Sequence, residues 1–275
     1  MESVRISIVV PCFNQAQYLD ECLQSVLEQT YINWECIIVN DGSPDNTEDI
    51  ALDWIKKDSR FKYIKKENGG LSSARNAGIK KANGEWILPL DCDDKIGNRY
   101  LELASKEFDK HYTIIYCEAE KFGYINGKWI LPQFTLQNLA TTNIIFCSFF
   151  YKKEMFDLIG GYDENMKEGL EDWEFVIKLI KKGKNILKLD YTGFYYRTKE
   201  SSMITDITIG NKIPIFKYIE NKHLDFFHEH LGPIHLLNGK ALIIEKYEQE
   251  IAKMKIILNS KRYKIVDKLL SLIGK

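Results

Sequence analysis

The chain has 275 residues, with 38 Lys and Arg against 39 Asp and Glu and a formal net charge of −1. Apolar residues make up 45% of it and aromatic residues 12%. That is enough to bury a sizeable core, and it excludes a disordered or collagen-like chain. Without a basic excess, dedicated binding along a nucleic-acid backbone is excluded as well.

Taken in chain order, Ile6–Val10 is a β-branched run that reads as a buried strand. Gln17–Gln29 carries Tyr18, Leu19, Cys22, Leu23, Val26 and Leu27 at helical spacing. Cys36–Val39 is a second strand. Ser43-Pro44 offers an N-cap and a first-turn proline for a helix running to about Lys57. Phe61–Ile64 is a third strand, Ser72–Ala82 a helix closed by Asn83-Gly84, and Trp86–Leu90 a fourth strand. Alternation of this kind predicts an open, mostly parallel α/β sheet with helices on its faces. Thr113–Trp129 reads as shorter strands in hairpins, Leu170–Lys182 as a strong helix, and Ile186–Leu189 and Gly193–Arg197 as two further strands. Beyond about Ile207 the chain reads as helical. The division expected is a catalytic domain over 1–206, with halves 1–105 and 106–206, and a helical extension over 207–275.

The six cysteines form no Cys-x-x-Cys pair and suggest neither a zinc site nor a disulfide framework. The opening residues lack a signal-peptide pattern, and no apolar run is long enough to span a bilayer. The chain therefore reads as cytoplasmic. Lys253–Lys275 sets Lys253, Lys255, Lys261, Arg262, Lys264, Lys268 and Lys275 against Asp267 alone, interleaved with apolar residues. This is the pattern of a helix lying on an anionic membrane face or packed on protein.

Open α/β sheets bind ligands beyond the carboxyl ends of their strands. Four successive strand ends here are polar: Pro11-Cys12-Phe13-Asn14, Asn40-Asp41-Gly42-Ser43, Asn68-Gly69-Gly70 with Ser73-Ala74-Arg75-Asn76, and Asp91-Cys92-Asp93-Asp94. No Gly-x-Gly-x-x-Gly and no P-loop pattern is present. If Asp91 and Asp93 lie in an extended segment, their carboxylates share one side and need a cation; hard oxygen ligands suit Mg2+ or Mn2+. An acidic turn capping the next helix is the other reading of the same residues.

Taken together in this order, the motifs resemble a family 2 glycosyltransferase of the GT-A fold, over roughly residues 4–205. The resemblance implies transfer of a sugar from a nucleotide-diphosphate donor, UDP first among them, to an acceptor hydroxyl with inversion at the anomeric carbon. It places Pro11, Phe13, Asn14, Asp41, Arg75, Asp91 and Cys92 at the nucleotide-sugar, with Asp41 on the base and Arg75 at the base and phosphates. It places Asp93 and Asp91 on the metal, with Asp94 in support. Gly161, Tyr162 and Trp173 fall in the resembling acceptor region. Asp172, with Glu171 beside it at the start of a helix, is the implied general base. The segment Tyr196–Met203 matches the family's Tyr-Arg-x-His-x-x-Ser pattern except that Lys199 stands where His is usual. A lysine suits a phosphate and is a poor metal ligand. The implied partners are the donor and a glycan or lipid-linked acceptor in surface polysaccharide, capsule or lipopolysaccharide synthesis, with a homodimer admitted. Two alternatives stay open: a binding module without catalysis, and a sugar-nucleotide nucleotidyltransferase.

Overall fold

Strand β1, Ile6–Cys12, is buried along its whole length because parallel strands flank it on both edges and helices cover both faces. The computed structural model describes residues 5–200, 209–232, 247, 249–256 and 258–260. β1 lies between β2 (Trp34–Asn40) and β4 (Trp86–Pro89), so Ile8 pairs with both Cys36 and Leu88. β3 (Phe61–Lys65) pairs parallel with β2 at one edge. β5 is Lys95–Ile96, and β8 (Tyr151–Lys152) closes the other edge of the first sheet antiparallel to β4. The order is β3-β2-β1-β4-β8, the twisted, mostly parallel sheet expected.

Its helices are α1 (Ala16–Leu27), α2 (Thr47–Lys57) and α3 (Leu71–Lys81). α1 buries Leu19, Cys22, Leu23 and Val26, the stripe its spacing predicts. α2 starts later than Ser43-Pro44 suggests. Asp45 accepts from the Thr47 N–H at 3.1 Å and the Thr47 hydroxyl at 2.6 Å, and takes over the helix start. Ser43 is used elsewhere: its hydroxyl donates to the Cys12 carbonyl at 3.1 Å and accepts from the Asn14 N–H at 3.2 Å. α3 can press against the sheet because of Gly78: a Cβ there would stand 2.4 Å from Cγ1 of Val9 and 2.8 Å from Cγ2 of Val39.

A second sheet, β5-β9-β6-β7, is built from β5, β6 (Ile114–Gly123), β7 (Gly127–Trp129) and β9 (Ile186–Thr198). β6 and β7 form the expected hairpin. The two strands expected over 186–197 are one continuous strand. Gly193 does not break it; it lets β9 pass close over Tyr100 and Cys117, where a Cβ would meet Cys117 Sγ and the Tyr100 ring at 2.8 Å. The register against β6 shifts in the same stretch, between Tyr116 and Ala119.

The connecting helices are α4 (Tyr100–Ser105), α5 (Leu136–Thr141), α6 (Lys153–Ile159) and α7 (Glu171–Ile180). α8 (Ile209–Lys222) follows. Its C-terminal end is tied to α7, where buried Glu174 holds Lys222 at 2.8 Å and His223 at 2.9 Å. Compact packing therefore divides the chain between His223 and Leu224, whereas the motifs place the boundary at 206. The second unit opens with α9 (Leu224–Leu231), in which Phe226 meets Phe227 and His230 edge-on. Among the described residues no helix is long and apolar enough to cross a membrane. Most of the basic stretch 253–275 and residues 201–203 of the Tyr-Arg segment lie outside the described residues. All six cysteines are free and buried.

Candidate active site

The strand ends converge as expected, and backbone strain collects with them. Among the described non-glycine residues, positive φ occurs at Asn14 (52°), His111 (56°) and Leu170 (62°). Two of these three flank residues of interest: Asn14 ends the β1 loop and Leu170 immediately precedes Glu171 and Asp172.

Asp41 at the end of β2 is buried and heavily used. Its Oδ1 accepts from Lys66 Nζ at 2.7 Å and the Gly69 N–H at 3.1 Å, and its Oδ2 from the Gly70 N–H at 2.8 Å. Asn68 Nδ2 donates to its carbonyl at 3.0 Å. Asp41 thus folds the loop before α3 onto the sheet, and a nucleobase N–H would have to share an oxygen already engaged. Pro11 and Cys92 are buried at the floor of the same region, while Phe13 is 46% exposed and Asn14 is exposed.

Asp91 to Asp94 is not extended. The Asp94 N–H donates to the Asp91 carbonyl at 3.0 Å, which makes the segment a tight turn. This corrects the expectation that Asp91 and Asp93 project side by side from a strand. Asp91 turns toward Arg75, whose Nη2 donates to its Oδ1 at 2.6 Å, and its Oδ2 receives Cys147 Sγ at 3.5 Å. Asp93 turns toward Lys199, with Nζ 2.7 Å from its Oδ2. Asp94 accepts from the Arg197 N–H at 2.7 Å. Burial, with Asp93 and then Asp91 nearby, pushes the Asp94 carboxyl well up; burial and Asp91 push Asp93 up against the opposing pull of Lys199.

Arg75, expected at the nucleotide, is fully buried and forked between two carboxylates. Its Nη1 reaches Glu171 Oε1 and its Nη2 reaches Asp91 Oδ1, each at 2.6 Å. Burial works against the guanidinium charge, but the flanking Asp91 and Glu171 more than offset it, so it stays protonated throughout the accessible range. A group with no exposed surface cannot touch a nucleotide without moving. Arg75 instead joins the Asp91 turn to the start of α7.

Asp172, next to Glu171, is partly buried. It accepts from Asn143 Nδ2 at 3.0 Å and from its neighbour's backbone, the Trp173 N–H, at 2.8 Å. Burial, and then the Glu171 charge, push its carboxyl up to about 7; Arg75 and the two donors pull the other way.

The expected acceptor residues are interior packing. Tyr162 is 2% exposed and stacks on Phe175 with ring centroids 3.9 Å apart. Trp173 is buried and donates from Nε1 to the Leu139 carbonyl at 2.8 Å. Gly161 is buried against Asn76 and Phe156. Their burial follows from the amphipathic face of α7, which anchors this half to the sheet. A cavity of about 620 Å³ lies elsewhere, lined by Tyr116, Glu118, Trp129, Phe134, Phe146 and Lys188, among others.

Sequence reasoning missed Asn143, Cys147, Gln15 and Arg197. Asn143 and Cys147 sit in a segment without a motif, and only the tertiary fold brings them to Asp172 and Asp91. Arg197 lay inside a quoted motif, but its contacts to Asp94 and, through Nε at 2.8 Å, to the Asp93 carbonyl are not readable from it.

As for a metal, Asp91 and Asp93 offer hard carboxylate oxygens of the kind that suits Mg2+ or Mn2+, though here they turn to Arg75 and to Lys199. Ligand atoms of Asp91, Asp94 and Cys147 also lie within 4.8 Å of one another. Cys147 is a soft donor, and burial raises its thiol well above its ordinary range, so it suits a hard ion poorly.

A mostly parallel sheet that presents these carboxylates at its strand ends, beside an antiparallel-edged second sheet, is the GT-A architecture. The chain belongs to glycosyl transferase family 2, whose model matches residues 7–165. Among curated relatives, it is 31% identical over 215 residues to the uncharacterized glycosyltransferase EpsJ of Bacillus subtilis, covering 72% of this chain and 62% of EpsJ. The chain therefore spans less than two thirds of that relative. Among solved structures, residues 1–349 of TarS from S. aureus, in complex with UDP-GlcNAc, superpose with a TM-score of 0.70 at 21% identity, covering 82% of this chain and 71% of that one. The mannosyltransferase PcManGT from Pyrobaculum calidifontis, in complex with GDP-Man and Mn2+, superposes with a TM-score of 0.61 at 16% identity, covering 98% and 85%. At these identities the superpositions establish the fold.

Proposed function

We propose that this protein is an inverting, metal-dependent glycosyltransferase that moves a hexosyl or N-acetylhexosaminyl group from a nucleotide-diphosphate donor, UDP first, to a hydroxyl of a glycan or lipid-linked acceptor in surface polysaccharide synthesis. The observation that carries this reading is the brace Asp91–Arg75–Glu171, which ends beside Asp172, a carboxyl poised near neutral pH. It ties the turn proposed to face the donor diphosphate to the residue proposed to act on the acceptor.

Asp172 takes the proton of the acceptor hydroxyl as that oxygen attacks the anomeric carbon; a base titrating near the working pH combines ionised fraction with proton affinity. Asn143 and the Trp173 N–H fix its orientation. Arg75 is a positioning residue here and does not touch the donor. Asn14, Phe13 and the loop fixed by Asp41 bound the nucleoside side. Asp93 and Asp91 would hold the divalent ion, which supplies positive charge to the departing diphosphate. Lys199 adds an ammonium on the same side.

Calorimetric titration with UDP, GDP, dTDP and CMP, each with and without Mn2+, tests the donor site. Metal-enhanced binding of one diphosphate is the expected result. No binding of any of them under any condition would turn the reading toward a module without catalysis.

A further inference from the structure

The Lys199 ammonium lies at the mouth of the Asp91–Asp94 turn with two acceptors already in hand. Nζ is 2.7 Å from Asp93 Oδ2 and 2.7 Å from Gln15 Oε1, and it stands 4.7 Å from the centre of the Tyr18 ring. The Lys199 and Asp93 side chains are 22% and 19% exposed. The pair is thus enclosed enough to matter and open enough to exchange. The turn does not depend on Lys199 for its shape: Arg197 clamps it through the Asp94 carboxyl and the Asp93 carbonyl, and pairs with Glu21 on α1. Lysine carries a compact charge on a flexible four-carbon stem, so the ammonium can leave Asp93 without disturbing that clamp.

Resting on the donor-site reading above, we propose that Lys199 is the resident counter-cation of the site. It holds Asp93 in the free protein, competes with the divalent ion for that carboxylate, and transfers to the diphosphate when the ion takes Asp93. Two cations then serve the donor, and one of them is always present. Two consequences follow. The free protein binds a divalent ion weakly, because the ion must displace an ammonium. A nucleoside diphosphate also keeps part of its affinity when metal is removed.

The test is a titration of Mn2+, followed by the loss of its free-ion electron paramagnetic resonance signal, into the wild type, Lys199→Gln and Lys199→Met without nucleotide. Glutamine keeps a hydrogen-bond donor for Asp93 and loses only the charge; methionine removes both, so agreement between the two separates charge from bonding. Melting temperatures of all three show that each is folded. A titration of UDP into the same proteins in EDTA follows. Both variants are expected to bind Mn2+ about tenfold more tightly than the wild type and UDP in EDTA about tenfold more weakly, as loss of a partly buried charge-assisted contact implies. Mn2+ affinity that is unchanged, weaker, or undetectable in all three folded proteins overturns the proposal. Failure of UDP to bind any of them, with metal or without, would instead count against the donor-site reading, while the nucleotide-free Mn2+ comparison still decides the Lys199–Asp93 exchange.

Discussion

The two sides of Arg75 are built differently. On the side of the parallel sheet, the strand-end residues follow a strand within a few positions, and backbone holds two of them directly: Asp41 by the Gly69 and Gly70 N–H groups and Asp94 by the Arg197 N–H. On the side of α7, Asp172 is oriented by Asn143, from a segment 29 residues earlier, and the cavity by Trp129 is walled by residues of β6, β7 and β9 and of two loops. A backbone-held site is reproducible from short motifs. A site held by side chains from distant segments varies freely, as acceptors do. The comparison predicts that mutations on the first side damage donor binding and the fold, whereas mutations on the second change transfer and acceptor affinity alone.

Asp172→Asn gives the largest expected effect. Losing the base lowers kcat by about 10³ to 10⁴, at the upper end of what general-base catalysis contributes, with donor affinity from calorimetry unchanged. An equal loss of donor affinity would erase the separation of the two sides. Next is Arg75→Met, which leaves the buried Glu171 and the partly buried Asp91 without their shared partner. Breaking such a pair costs about 3–5 kcal/mol, to be read from urea unfolding. It is the one substitution expected to harm both sides, and a change below about 1 kcal/mol would mean that the brace does not couple them. Gly78→Ala drives a methyl into Val9 and Val39, for a loss of about 1–3 kcal/mol by overpacking. Activity per folded molecule should survive it. The smallest effect is expected for Trp129→Ala, which removes the ring beside Phe146 and Tyr196. Acceptor KM should rise about fivefold, in keeping with one aromatic contact, while donor KM holds. A rise in donor KM instead would place that cavity on the wrong side of the comparison.

The same asymmetry explains what could be read from the chain beforehand. The alternation of buried strands and amphipathic helices through Pro89 was legible because each element announces itself by period and punctuation. Asp172 and Lys199 were singled out by resemblance to a family pattern, and their roles are proposals. The continuity of β9 was hidden because Gly193 looks like a break; it is there for close passage over Tyr100 and Cys117. The Asp91–Asp94 turn was hidden because spacing alone does not distinguish an extended Asp-x-Asp from a folded one. The enclosure of Arg75 was hidden because it depends on Glu171, 96 residues further on. The burial of Tyr162 and Trp173 was hidden because an aromatic residue beside a functional motif serves packing as readily as binding.

Asp172 also leaves a signature in stability. Its carboxyl titrates near 7 in the folded protein against about 4 in the unfolded chain. Below about 4 both states hold the proton and nothing is lost; as pH rises from there to about 7, only the unfolded chain releases it, and folding becomes less favourable. Asp172→Asn is free of this cost, so its melting temperature should gain on the wild type across that window and hold the gain above it.

The central claim, that Asp172 is the base and is poised by its burial and by Glu171, is tested most directly by the pH dependence of kcat/KM for the acceptor between about pH 5 and 9, at saturating donor. The expected profile rises with the ionisation of one group and levels off, with its midpoint near 7. A profile flat across the whole range, or an Asp172→Asn enzyme that retains the wild-type rate and profile, would contradict it.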